Sequence, residues 1–220
     1  IIDNQSSDNT AQLANKLGAQ VFIRPLRNNF AAQRNFALNQ ARGHWVLFID
    51  SDEVVSPRLA REIKSAIKHT PFQGFYLKRL DVFLGKKLAH GETGHMSLLR
   101  LARRQAGRWS RPVHELWRVQ SPAGNLTTPI IHYPHPNLSS FLAKIDHYTN
   151  IDVNYRFRHG EKFSFWNLLI YPPAKFFLNY FFKLGFLDGF PGLIMALMMS
   201  FHSLLVRLKL YEKSISRSVH

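Results

Sequence analysis

The stretch Trp45-Val46-Leu47-Phe48-Ile49-Asp50-Ser51-Asp52-Glu53 is an unbroken apolar run that ends abruptly on carboxylates. A short continuous apolar run reads as a strand buried on both faces, the kind that lies between layers of helices. Upstream, Phe30, Arg34, Ala37, Leu38 and Ala41 recur at helical spacing and Gly43 stops the helix. Before that come a strand at Val21-Phe22-Ile23 and a helix carrying Leu13, Ala14 and Leu17, capped by Ser7 or Asp8 and ended by Gly18. Ile1-Ile2 reads as the end of a strand whose start precedes the first residue. Downstream, Ser56-Pro57 opens a third helix that turns Leu59, Ile63 and Ile67 inward. Strand and helix alternate three times, which predicts an α/β fold with a parallel sheet covered by helices.

The chain has 220 residues, 45% of them apolar and 20% charged, with 18 Phe and no Cys. That composition supports a packed core and excludes a disordered chain, a disulfide scaffold, a thiolate zinc site and a cysteine nucleophile. The formal net charge is +15, and the basic excess begins only after about residue 75. A surface of this sign attracts phosphate, whether on a nucleotide, a nucleic acid or a lipid head group.

From Gly74 to about Tyr133 short β-type runs alternate with Gly, Pro and basic loops, which reads as an α+β second half of one domain. A junction follows at Ile131-His132-Tyr133-Pro134-His135-Pro136, then a helix from Asn137 to about His159. The domain boundary is drawn here: 1–136 as the α/β domain, 137–220 as a helical, aromatic-rich, basic region. Phe163 to Phe190 is dense in Phe, Trp and Tyr, and Gly189 to Val206 holds His202 as its only ionisable side chain. A span needs roughly 17–25 such residues. Aromatic residues with lysines at the flanks suit a helix that lies in a membrane interface or dips into one leaflet; the competing reading is a helical pair packed on the domain or on a second copy.

Ligands in open α/β sheets bind beyond the carboxyl ends of the strands. Asp50 and Asp52 leave such an end one residue apart, and carboxylates that close repel unless a divalent cation or an Arg/Lys joins them. The alternative is that Asp52 or Glu53 caps the turn before Ser56. Asp3 follows the first strand in the same way, so the two strand ends should bring Asp3 towards Asp50; otherwise it belongs to an Asx-turn. Arg34 either meets a phosphate or carboxylate, or lies on a solvated helix face.

Ile2-Asp3-Asn4-Gln5-Ser6-Ser7-Asp8-Asn9-Thr10, then Gln33-Arg34-Asn35, then Asp50-Ser51-Asp52-Glu53, stand in the order and spacing of three motifs. Together they resemble the nucleotide-binding half of a family 2 glycosyltransferase with the GT-A fold, over residues 1 to about 120. Leu99-Arg100-Leu101-Ala102-Arg103-Arg104, Pro112-Val113-His114-Glu115, His132-Tyr133 and Gly185-Phe186-Leu187-Asp188-Gly189-Phe190-Pro191-Gly192 resemble, within that family, the bacterial lipopolysaccharide core glucosyltransferases of the WaaE/KdtX type. The resemblance implies a Rossmann-like mixed sheet flanked by helices and a metal-dependent, inverting enzyme. Asp3 is then expected at uracil, Asp50 at the ribose or the metal, and Asp52 at a Mg²⁺ or Mn²⁺ that bridges the diphosphate. Glu115 is expected as the catalytic base, with Arg34, Arg100 and His114 contributing to nucleotide-sugar binding.

The function expected on this basis is transfer of a sugar, glucose by analogy, from a UDP-sugar to a membrane-presented saccharide such as lipopolysaccharide inner core. The enzyme would work against the anionic surface of the cytoplasmic face of the bacterial inner membrane. Transfer to a polyprenyl phosphate or another surface glycan uses the same site. A non-enzymatic basic protein binding membrane or nucleic acid is the other class; nucleic acid is disfavoured because the aromatic residues gather in an apolar tail instead of alternating with the basic ones.

Overall fold

The computed structural model describes residues 1–216. In chain order the elements are β1 (Ile2–Asp3), α1 (Thr10–Lys16), β2 (Phe22–Ile23), α2 (Phe30–Gln40), β3 (Trp45–Leu47), β4 (Glu53–Val54), α3 (Pro57–Ala66), β5 (Gly74–Phe83), β6 (Lys86–Leu88) and α4 (Gly91–Gly94). There follow β7 (Ser97–Arg103), β8 (Gly107–Ser110), β9 (Leu116–Val119), β10 (Ala123–Asn125), β11 (Ile130–His132), α5 (Leu138–Arg158), α6 (Phe165–Phe177) and α7 (Gly189–Ser216). A π-helical turn at Leu178–Phe182 and a 3-10 turn at Gly185–Asp188 join α6 to α7.

The long strand β5 organises a mixed sheet of order β3-β7-β5-β11-β4, with β6 and β10 also pairing to β5. The expected parallel arrangement holds for β1 with β2; β5 also runs parallel to β10 and β11. It does not hold for β3, which pairs antiparallel with β7. The reason lies in the second half of the chain: β7 returns antiparallel to β5 and fills the place next to β3. Among the described residues β1 and β2 pair only with each other.

The apolar run 45–49 packs on both faces, but as the end strand of its sheet it is only part-buried: Phe48 is its buried residue and Ile49 is 44% exposed. Trp45 and Leu47 face the cluster that α3 covers with Leu59, together with Phe75, Leu77, Leu101 and Ile130. Val46 and Phe48 face the opposite layer, where Leu38 and Ala31 of α2 meet Ala102, Trp109 and Trp117. Helix α3 starts as expected, with Pro57 in its first turn and Ser56 Oγ accepting the Leu59 N–H at 3.2 Å. For α1 the cap differs: Asn9 is the capping position and makes no side-chain bond, while Asp8 accepts the Thr10 N–H.

Helix α5 begins after Asn137, which forms a reciprocal capping box with Ser140. It does not stand apart from the sheet. Phe141 and Ile145 join Phe83, Leu88 and Met195 in one core, and Val153 packs against Val206 and Leu210. Helix α7 therefore lies along α5, and α6 lies on α7 with the Ser200 hydroxyl donating to the Pro172 carbonyl at 2.7 Å.

Candidate active site

Strand β3 delivers Asp50 to the sheet edge, and two neighbouring strands fix the turn that follows. On one side the Phe48 N–H donates to the Arg100 carbonyl of β7 at 2.8 Å. On the other, β4 pairs with β11, placing Glu53 opposite His132, and the Tyr133 N–H donates to the Asp52 carbonyl. Glu53 turns back under the loop, where its carboxylate accepts the Asp50 N–H at 2.9 Å. Glu53 thus closes the turn, one of the two alternatives open from the sequence.

Arg34 reaches this edge from α2. Its neighbour Asn35 explains why: the Asn35 amide donates to the Trp109 carbonyl and accepts the Trp109 N–H, both at 2.9 Å, so α2 is clamped edge-on to β8. With Asn35 committed to β8, Arg34 lies over the Trp109 ring at 4.7 Å and points to the carboxylates. It donates from Nη2 to Asp50 at 2.7 Å and from Nε to Glu115 at 2.8 Å. Arg100, on β7, donates to the second Asp50 oxygen at 2.7 Å, and its Nε and Nη1 are buried with no protein partner. Burial opposes the ionisation of Asp50, but the two guanidinium groups outweigh it and hold the carboxyl below the usual carboxylate range.

Asp52 has different company. Lys144 of α5 lies 3.2 Å from one oxygen and His132 Nε2 lies 3.5 Å from the other. His132 is itself oriented by Asp81, which accepts from Nδ1 at 2.8 Å; the two residues face each other in the register of β11 and β5. Burial again works against the charge on Asp52, and His132 and Lys144 reverse it and hold the acid far below its ordinary value. Burial alone would lower the His132 pKa, but its bonds to Asp52 and Asp81 raise it above the ordinary histidine value.

Three residues of this centre escaped the sequence reading. His132 appears there only as part of a resemblance, and Lys144 and Tyr148 not at all. The last two sit one turn apart on α5 and share a face. Tyr148 packs edge-on against Phe30 with centroids 5.6 Å apart. Its pKa is raised by burial and then by the carboxylates of Asp52, Glu115 and Asp50. The i, i+4 spacing of Lys144 and Tyr148 is the only signal the sequence holds for them.

Two expected site residues are engaged elsewhere. Asp3 is buried, and its carboxylate accepts the Ser6 N–H and the Ser6 hydroxyl, the Asx-type arrangement. Its link to the centre is indirect: its carbonyl accepts from Arg24 N, and the Arg24 carbonyl accepts from Gln33 beside Arg34. His114 turns its ring towards α7, 5.9 Å from the His202 ring. Burial lowers the His114 pKa.

The donor set bears on a divalent cation in a specific way. Asp52 and His132 Nε2 converge and are backed by Asp81, the oriented-histidine arrangement found behind metal-bound imidazoles. Asp50 has both oxygens on guanidinium groups. Among the described residues no three His, Asp or Glu side chains form a closed metal cage, so further ligands would have to come from a diphosphate, as hard cations permit.

Residues 1–120 match the profile of glycosyl transferase family 2. The chain belongs to this family. The family 2 glycosyltransferase described here is 26% identical to the lipopolysaccharide core biosynthesis glycosyltransferase LpsC of Rhizobium meliloti, over 97% of this chain and 82% of that protein. An uncharacterized glycosyltransferase of Rickettsia typhi is 24% identical over 100% of this chain and 80% of its own length. In both, the similarity runs through the α5–α7 region as well as the profile-matched part. A TPR repeat-containing protein of Synechococcus elongatus is 29% identical over 60% of this chain.

Proposed function

We propose that this glycosyltransferase transfers a sugar, glucose in the first instance, from a UDP-sugar to a saccharide presented at a membrane, with inversion at the anomeric carbon. The lipopolysaccharide inner core is the proposed acceptor; what supports it is a relative, matched over 82% of its length, that is named for lipopolysaccharide core biosynthesis. The observation that carries the reading is one edge-of-sheet centre in which Glu115, Asp50 and Asp52 alternate with Arg34, Arg100 and Lys144.

Charge of both signs is what the reaction needs. As the donor's bond from C1 to the diphosphate oxygen breaks, negative charge grows on the leaving UDP, and fixed cations aimed at it lower the barrier. Arg100 has two buried donors without a protein partner, which phosphate oxygens would satisfy. Lys144 is 40% exposed and donates to both Asp52 and the Pro134 carbonyl, and it would exchange the Asp52 contact for phosphate. Glu115 takes the proton of the acceptor hydroxyl as its oxygen bonds to C1, and Arg34 holds that carboxylate in position. Asp52 with His132 would hold a Mg²⁺ or Mn²⁺, whose chemistry when bound is to neutralise the diphosphate. In this arrangement Asp50 braces Arg34 and Arg100 instead of coordinating the ion, and Asp3 has lone pairs remaining for the uracil imide. On this reading the enzyme works at the cytoplasmic face of the inner membrane, a location that the proposed acceptor and the apolar helix α7 support.

The test is a donor screen that follows UDP release from a panel of UDP-sugars, with and without Mn²⁺, using defined core oligosaccharides. Acceptor-dependent UDP release supports the reading. Turnover of no UDP-sugar, or an anomer-retaining product, removes it.

A further inference from the structure

Helix α7 is long and apolar enough to cross a bilayer, yet its packing argues for a different use. Met195, Ala196, Ser203, Val206 and Leu210 bury one side of it along most of its length, against α5 and the sheet. Lys209 locks the far end, bonding the Asp146 carboxylate at 2.6 Å and Thr149 Oγ1 at 2.9 Å. Helix α5 also carries Lys144 to the charged centre, where it meets Asp52. A spanning α7 would draw the charged α5 residues Asp146, Asp152 and Arg156 into hydrocarbon or shed every one of these contacts, and the bilayer core rejects such charges.

What faces outward is the opposite of a soluble surface. Trp166 is 69% exposed, Phe182 81% and Phe190 71%, and Phe165, Ile170, Phe177, Phe181 and Leu187 are exposed around them. From Lys162 to Tyr211 the only carboxylate is Asp188, and it is buried, accepting from the backbone N–H groups of Ala89 and His90. Contiguous apolar patches of more than a few hundred Å² are rare on soluble monomers. Lys162, Lys86 and Lys87 are exposed at its margin, with Glu161 and Glu212 just outside the segment, and the Lys86 ammonium lies beside Gly189, next to Phe190. Two copies of a +15 chain repel, whereas an anionic head-group layer over acyl chains matches both the rim and the face.

We propose that α6, the two turns after it and the start of α7 form a wedge that lies in the plane of an anionic bilayer, enters one leaflet and does not cross. The wedge deepens the membrane-presented-acceptor reading and rests on it for its choice of partner. Phe182, Phe190 and Trp166 are the inserting side chains, and the lysine ammonium groups sit at the phosphates.

The test uses sedimentation with vesicles of phosphatidylglycerol and phosphatidylcholine and no sugar nucleotide, so it reads the wedge independently of catalysis. The expected results are binding that weakens with salt, Trp fluorescence quenched by bromines placed shallow in the acyl chain, and release from vesicles by alkaline carbonate. F182E/F190E should lose on the order of 100-fold in partitioning while keeping its Tm and its turnover of a soluble acceptor. Protection of a C-terminal tag inside sealed vesicles, with resistance to carbonate, would overturn the proposal in favour of a span. A stable dimer that ignores vesicles, and separates into monomers on F182E/F190E, would overturn it in favour of a second copy. Loss of glycosyl transfer with vesicle binding intact would count against the proposed reaction alone.

Discussion

Replacing Glu115 by Gln separates chemistry from architecture, because the structure assigns this side chain one strong partner. Arg34 Nε donates to Glu115 at 2.8 Å, and the same guanidinium holds Asp50 through Nη2 at 2.7 Å. Gln keeps the size and offers a carbonyl oxygen in the same place, so the bond survives as a neutral acceptor. The difference between a charge-assisted and an ordinary hydrogen bond is about 1 kcal/mol, or roughly 2–4 °C in Tm for a chain of this size. Loss of a general base costs on the order of 10²–10⁴ in kcat. The expected E115Q enzyme is therefore nearly as stable as the parent, binds UDP-sugar within a few-fold of it by calorimetry, and turns over at least 100 times more slowly. Asp50→Asn is the contrasting case, since it removes the negative charge between two buried guanidinium groups. Breaking a buried pair costs about 3–5 kcal/mol. With the Asp50 side chain 35% exposed, a loss of about 2–4 kcal/mol is expected, visible as a drop in Tm larger than that of E115Q. Near-normal kcat in E115Q, or a collapse in Tm equal to that of Asp50→Asn, would refute the division of labour.

Two further outcomes are expected. In Gly192→Ala the new Cβ would overlap the Gly185 carbonyl oxygen and meet the Asp188 Cβ at 2.9 Å; helix propensity favours Ala by about 1 kcal/mol, but backbone overlap dominates, so thermal denaturation should show a loss of about 3 kcal/mol or more, and an unchanged or raised Tm would disprove the close packing. His202 is pushed down to about 4, mainly by burial and then by its neighbour His114. The unfolded chain then binds more protons than the folded one between pH 4 and pH 6.5, so stability falls as the solution is acidified through that window. At pH 5 the loss is about 1 kcal/mol after allowing for partial solvation, and His202→Gln should show a smaller Tm difference between pH 7 and pH 5; an equal difference would count against the assignment.

Much of the first half was legible because its signals are local. The apolar residues 45–48 pack on both faces of their strand, and Ser56-Pro57 starts a helix by its own geometry, so both are legible from neighbours in sequence. Glu53 as the brace of the turn and Arg34 as a carboxylate partner were among the stated alternatives, but choosing between them needed β7 and β11 in place. What stayed hidden depends on long-range register. Lys144 and Tyr148 enter the centre because α5 packs back across the sheet, and His132 does so because β11 pairs with β5 opposite Asp81. The antiparallel run of β3 against β7 was illegible for the same reason: alternation of strand and helix describes succession along the chain, not which strand returns to fill a gap.

The Asn35 amide, with its two bonds to Trp109, has a mechanical corollary. It welds the helix bearing Arg34 to the hairpin of β8 and β9, so these parts travel together. Between the two hairpin strands lies the short link from Arg111 to His114, whose ends take left-handed φ values of 72° and 50°. Glu115 directly follows it. The Phe30 N–H donates to the Pro112 carbonyl of that link at 2.9 Å, so Glu115 is carried on the same body as Arg34.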